Sequence, residues 1–279
     1  MFDSCQWQPV SNGVKTLRYF FILLFLAMLV SGCRESQSRG KTRLADLIPK
    51  DRSASEDKSS VGLYVYVFEL DRDKYPTVLE GLYDINDLPV EYKNSGSFAG
   101  NGLVSCGGDI TTWAKLAQIL VDSKARVAKR TITYISEGID DDVVITALDK
   151  PSSARYHQGG GTSIGIGLPA GKVSLRFNTK PVIGLKQIRR LSITPVYKAE
   201  ITVDKKQTSG RAKPVLWEFP FSLTSLDVSL RPGQFVCIAP NPANFPQEGP
   251  EAVGQIMFWA DKPRLVIRFC LVACSLIND

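Results

Sequence analysis

Two stretches, VGLYVYVFEL (residues 61–70) and LVIRFCLVACSLI (residues 265–277), carry apolar side chains on both faces at strand spacing. A strand with one wet face alternates apolar and polar residues. A run without that alternation demands cover on both sides. The second stretch, 13 residues long and broken only by Arg268, falls short of the ~20 residues a membrane-spanning helix needs. A strand of this kind is either central in a covered sheet or an edge awaiting a partner. We expect the central position, with Arg268 paired to a carboxylate or lying at the sheet margin.

Around these strands the pattern reads as α+β, a predominantly antiparallel β domain with two short helices near its N-terminal part. In RDKYPTVLEGLYD, Pro76 suits a first helical turn, and Val78, Leu79 and Leu82 share a face. Farther on, Asp109 is placed to cap a second helix. Its residues Trp113, Leu116, Ala117 and Leu120 recur at helical spacing, while Lys115 and Gln118 point outward. From Lys129 onward the chain alternates as strands punctuated by Gly, Pro and Asp. Residues 240–250, PNPANFPQEGP, read as an exposed loop. Ile256 and Phe258 are expected to pair with Leu265–Ile277 in a long hairpin turned by Ala260-Asp261-Lys262-Pro263. Residues 61–279 then form a single folded domain.

The first 60 residues differ in kind. Lys15 and Arg18 precede an unbroken apolar run from Tyr19 to Val30, and Val30-Ser31-Gly32-Cys33 follows. A positive flank, a short apolar core and small exit residues describe a secretory signal, here residues 1–32. A cysteine directly after them resembles the bacterial lipobox. That resemblance implies cleavage after Gly32 and acylation of Cys33, with two or three chains giving a stable membrane anchor. Arg34 rather than Asp after the cysteine favours the outer membrane over the inner. Residues 34–60, rich in serine and mixed charge, bury too little to offset ordering and read as a tether behind the lipidated Cys33. A flexible chain of that length spans ~30 Å on average.

The chemistry-bearing residues are sparse. The net charge of +6 is spread singly among acidic residues, which argues against nucleic-acid binding. His157 is the one histidine, in a loop-like stretch without a nucleophile elbow, and it is read as a surface loop residue. The glycines Gly159, Gly160, Gly161, Gly165 and Gly167 lack the Lys and Ser or Thr of a phosphate loop and read as a hairpin. Asp140, Asp141 and Asp142 read as a charged turn rather than a calcium loop. Asp149, Glu200 and Glu218 are too dispersed for a paired-carboxylate hydrolase. Export permits disulfides among Cys106, Cys237, Cys270 and Cys274, with three connectivities open. Cys270 and Cys274, ~13 Å apart on one strand, should not bond to each other. Without a C-x-x-C pair no zinc site is expected, and no cofactor is implied.

The order of phrases from Val61 to the C-terminus resembles the core domain of bacterial secretins, outer-membrane ring proteins of secretion and pilus systems. The similar phrases are YVYVFEL, WAKLAQILVDSKARVAKRTITYISEG, RRLSITPVYKAEI, LRPGQFVCIA, and VGQIMF with PRLVIRFCLV. The family's ring-building modules are replaced ahead of the core by the tether. Its proline-rich phrase is replaced by NFPQEGPEAV, so no pore residue is carried over. What the resemblance implies is a lipid-anchored relative with a structural or assembly role.

We therefore expect a non-enzymatic cell-envelope protein, held to the membrane through Cys33, with envelope-protein partners and self-association open to it. Two alternatives stand beside it. A ligand-binding lipoprotein would take a sugar, peptide or lipid, with Trp217, Trp259 and Tyr197 as stacking surfaces. An exported hydrolase is the other.

Overall fold

The computed structural model describes residues 60–202, 214–260 and 265–278. The expected signal with its expected cleavage after Gly32, Cys33 and the expected tether over residues 34–59 lie outside them.

The first doubly apolar stretch is strand β1 (Ser60–Asp71) and the second is β15 (Val266–Asn278). They pair antiparallel along their whole length, with Val65 opposite Val272 and Glu69 opposite Arg268. Side chains alternate between two separate cores. Leu63, Val65 and Val67 enter one together with Cys270, Val272 and Cys274. Tyr64, Tyr66, Phe68 and Leu70 enter the other together with Ile267, Phe269, Leu271 and Ala273. Both strands read as continuous apolar runs because a core lies on each side.

The first sheet runs β3 (Leu103–Gly108), β12 (Phe235–Pro240), β15, β1 and β4 (Arg126–Ser136), with the two-residue β14 (Trp259–Ala260) also on β15. Strand β15 is central, as expected. Arg268 has a carboxylate partner, its Nε lying 3.9 Å from Glu69 Oε2. On one face of this sheet lie helices α1 (Tyr75–Tyr83) and α3 (Trp113–Asp122), the two expected from their stripes. Val78, Leu82, Trp113, Leu116 and Leu120 supply their half of that core. Pro76 sits in the first turn of α1. Asp109 does not cap α3. Its Oδ1 accepts from the Thr111 N–H at 2.8 Å and shapes the turn one residue ahead of the helix.

Against the other face lies a second sheet, ordered β2 (Val90–Tyr92), β11 (Leu226–Leu230), β9 (Leu185–Thr202), β8 (Gly171–Val182) and β5 (Asp141–Leu148). Strand β10 (Pro214–Pro220) pairs with the far half of β9. A small third sheet joins β6 (Ser152–Gly159) and β7 (Thr162–Leu168), with β13 (Glu251–Ala252) parallel to β6. The result is an α+β fold, mostly antiparallel β, in three layers: helices, first sheet, second sheet.

Two further six-residue helices had no clear signature, α2 (Ser95–Gly100) and α4 (Val253–Phe258). The latter corrects the long hairpin. Ile256 and Phe258 are helical, and only Trp259 and Ala260 pair with β15. VGQIMF is apolar throughout, so its period does not separate helix from strand. Packing decides: Gly254 donates its N–H to Asn101 O at 2.8 Å, and a Cβ there would run into the Gly102 carbonyl.

Candidate functional site

Edge strands carry unpaired backbone groups, so what covers each sheet edge determines what it can bind. Beside β3, the Asp87 and Leu88 N–H groups both donate to Gly107 O, at 2.8 and 3.1 Å. Beside β4, Lys129 Nζ donates to Val144 O of β5 at 2.7 Å, and the Thr133 hydroxyl donates to Asp141. Strands β4 and β5 thus shield each other through side chains.

Strand β10 is different. One edge holds β9, with Trp217 opposite Ala199 and Glu218 opposite Lys198. Among the described residues no strand pairs with its other edge. Prolines 214 and 220 bound it, as expected where a ladder must not extend through the strand ends. Between them Val215 and Leu216 are 48% and 60% exposed. Trp217 and Phe219 turn inward instead, meeting Tyr197 edge-on at 5.8 Å and Phe221 at 5.1 Å. Strand β7 pairs only with β6 among the described residues, and Gly165 and Gly167 leave one of its faces with only the Ser163 side chain.

A closed ion network fixes β10 from its outer face. Arg176 on β8 holds Asp142 with Nε and Nη2 at 2.8 and 3.1 Å, and Glu218 with Nη1 and Nη2 at 2.7 and 2.9 Å. Lys198 contacts Asp142 and lies 3.3 Å from Glu218. Burial pushes the Asp142 carboxyl up, but hydrogen bonds from Arg176 and Lys198 outweigh it and hold it below the ordinary carboxylate range. The Arg176 hydrogen bonds lower Glu218 likewise. Each carboxylate faces a cation, so the network is built to tie four strands together (β5, β8, β9 and β10) rather than to move protons. Asp142 is therefore a half-buried strand residue, not part of a turn, and Asp141 opens β5 with it.

His157 is also corrected. It lies half-buried on β6, opposite Ser163, not in a loop. Its ring lies over Gly100, where a Cβ would approach within 2.6 Å, and Nδ1 accepts from the Gly159 N–H at 3.1 Å. The fully buried Asn101 grips its backbone: Nδ2 donates to His157 O at 2.7 Å and Oδ1 accepts from His157 N at 3.0 Å. Asn101 stands in for a missing neighbouring strand. Gly159, Gly160 and Gly161, all at positive φ, form the hairpin turn.

The proposed stacking residues are packed. Tyr197 is fully buried and its hydroxyl donates to Pro169 O. The Trp259 ring carries the Arg72 guanidinium 3.8 Å above its centre and meets Phe245 at 5.3 Å. Asp149 and Glu200 are exposed; Glu200 lies opposite Leu216 on β9, two residues from the Lys198 that faces Glu218, and Asp149 follows the end of β5. The four cysteines are buried thiols. Cys106 and Cys237 stand opposite each other on β3 and β12, on the helix side. Cys270 and Cys274 point into the other core. Burial pushes the Cys270 and Cys274 thiols up to about 12. Between α1 and the β3–β12 pair lies a small hollow of about 10 Å³, lined by Leu79, Leu82, Tyr83 and Cys237, room for about one water molecule and far short of a ligand pocket.

No protein-family model matches this chain, and no curated protein does. Among solved structures it is similar to the InvG secretin-domain β-barrel from the Salmonella SPI-1 injectisome NC-base, at 10% sequence identity and a TM-score of 0.26. The similarity covers 80% of this chain and 64% of that one, so the chain spans less than two thirds of the structure it matches.

Proposed function

We propose that this is a non-enzymatic, lipid-anchored protein of a bacterial cell envelope, held at the outer membrane through Cys33, that assembles with further copies or envelope partners by strand addition to β10. The open β10 edge carries the reading. Among the described residues its backbone groups find no strand partner on one side, Val215 and Leu216 are exposed beside them, and the ion network ties the strand to β8 and β9. Strand addition draws affinity from main-chain hydrogen bonds and specificity from alternate side chains. The sequence phrases resembling the secretin core agree with an assembly role.

The test is the mass of the full-length chain in detergent, by light scattering, for wild type and Leu216→Lys. A lysine on an edge strand opposes edge pairing. The variant should keep the wild-type melting temperature, because Leu216 is exposed, and should lose the assembled species. An unchanged assembly, or a wild type that stays monomeric at every concentration and in envelope crosslinking through position 216, rejects the β10 reading.

A further inference from the structure

One end of the fold gathers three features that the β10 reading does not use. The chain enters the described structure at Ser60, which is in register with Ser136 of β4 and Asn278 of β15. From Ser136 the chain turns into β5, and Gly138 N–H donates to Thr179 O of β8 at 3.3 Å. The entry point, the β4–β5 turn and the far end of β8 therefore lie at the same end. Past Thr179, strand β8 continues to the hairpin Val182-Ile183-Gly184-Leu185, where Val182 pairs with Leu185. Four more residues at strand rise carry Ile183 ~13 Å beyond that level.

The tip is aliphatic and bare. Ile183 is 98% exposed and Leu185 51%, and Ile139 in the neighbouring β4–β5 turn is 57% exposed. Single exposed apolar residues are ordinary; a bare aliphatic pair on a projecting hairpin end, with a third in the turn below it, is not. Lys180 and Lys186 flank the tip, both exposed, and Arg231 is exposed in the β11–β12 turn at the same end. Against these stand Glu137 and Asp140, and Asp140 is occupied by Asn178 at 2.8 Å and Arg176 at 3.8 Å. The hairpin itself is cationic, because residues 177–189 contain no acidic side chain.

We propose that the β8–β9 hairpin tip is a membrane-contact element, with Ile183 and Leu185 entering the acyl boundary of a bilayer while Lys180 and Lys186 reach its anionic headgroups. Lysine stems can lie along apolar surface with the ammonium in the headgroup layer, which suits residues flanking an inserted tip. A convex, narrow aliphatic point fits a deformable lipid surface better than the flat face of a second copy. The inference rests on the Cys33 anchor in one respect. The 26 residues between Cys33 and Ser60 lead to this same end, so a lipid on Cys33 would hold Ser60 ~30 Å from the bilayer on average and raise the tip's effective concentration there.

The test uses the full-length chain carrying Ile183→Trp, reconstituted into vesicles of phosphatidylethanolamine and phosphatidylglycerol. Position 183 is almost fully exposed, so the substitution leaves the fold intact, which circular dichroism checks. The added tryptophan, read as the difference from wild type, should shift to the blue and be quenched by acyl-brominated lipid. Lys180→Glu with Lys186→Glu, or high salt, should reduce that quenching severalfold. A solvent-like, unquenched signal from the added tryptophan, on a chain that floats with the vesicles, overturns the proposal and leaves the anchor standing. A blue shift that needs no vesicles and grows with protein concentration overturns it in favour of a second copy. Acylation of Cys33 is read separately, from the mass of the N-terminal peptide, so failure of the anchor and failure of the tip are told apart.

Discussion

Asn101 and His157 show how much a single side chain decides here. Asn101 is fully buried and satisfies both backbone groups of His157, besides donating to Ser97 O at 2.7 Å. Removing it leaves the buried His157 N–H without its partner, and a buried unsatisfied group costs about 1–3 kcal/mol, with a further loss for the cavity. Asn101→Ala should therefore lower stability by about 2–4 kcal/mol in urea unfolding. His157→Ala removes a half-buried ring and one hydrogen-bond acceptor, for about 1 kcal/mol. The reverse order of the two variants would mean that the ring, not the clamp, holds β6. Nothing in the sequence flags Asn101: Asn-Gly reads as a turn, and a side chain acting as a surrogate strand has no period.

At the scale of elements, the legible features were those with a period and enough length to show it. Strands β1 and β15 declared themselves by lacking alternation, and α1 and α3 by their stripes. Helix α4 did not, because six apolar residues suit helix and strand alike, and contact with Gly102 made the choice. The ion network was invisible for another reason: Asp142, Arg176, Lys198 and Glu218 come from four strands whose order no local pattern contains. Two predictions belong here. Leu271 is fully buried on β15 in the helix-side core, so Leu271→Asp places an unpaired charge there and should unfold the domain, at a cost of several kcal/mol. A folded variant that loses only self-association would make β15 an interface strand. The second concerns acid. Asp142 and Glu218 have carboxyls lowered by folding, so their contribution is complete above the unfolded carboxylate range of about pH 4 and is lost as pH falls through the lower folded values. Arg176→Met removes part of that lowering. Below about pH 4 the stability of wild type should therefore fall more steeply than that of the variant. Parallel acid profiles would show that the network adds nothing to stability.

For the whole molecule, the two proposed contacts lie at different heights. Strand β9 starts beside the apolar tip and reaches β10 only at Val196, eleven residues on, about 35 Å away at strand rise. With the tip at the bilayer, the β10 edge stands well clear of it, free to meet strands from neighbours anchored in the same plane. In the proposed arrangement an anchor on Cys33 would act at the Ser60 end, the same end as the tip. If Cys33 is the lipobox cysteine we propose, it is acylated before residues 1–32 are removed. Wild-type protein should then begin at Cys33 and carry acyl chains, sediment with outer-membrane fractions and resist carbonate extraction. Cys33→Ser should retain residues 1–32 and migrate as the heavier, unacylated precursor, while the Leu216-dependent assembly of its folded part is unchanged. Mass spectrometry of the N-terminal peptide from both strains decides it. A mature wild-type chain with an unmodified Cys33 would remove the anchor and require the tip and the tether to account for membrane attachment by themselves.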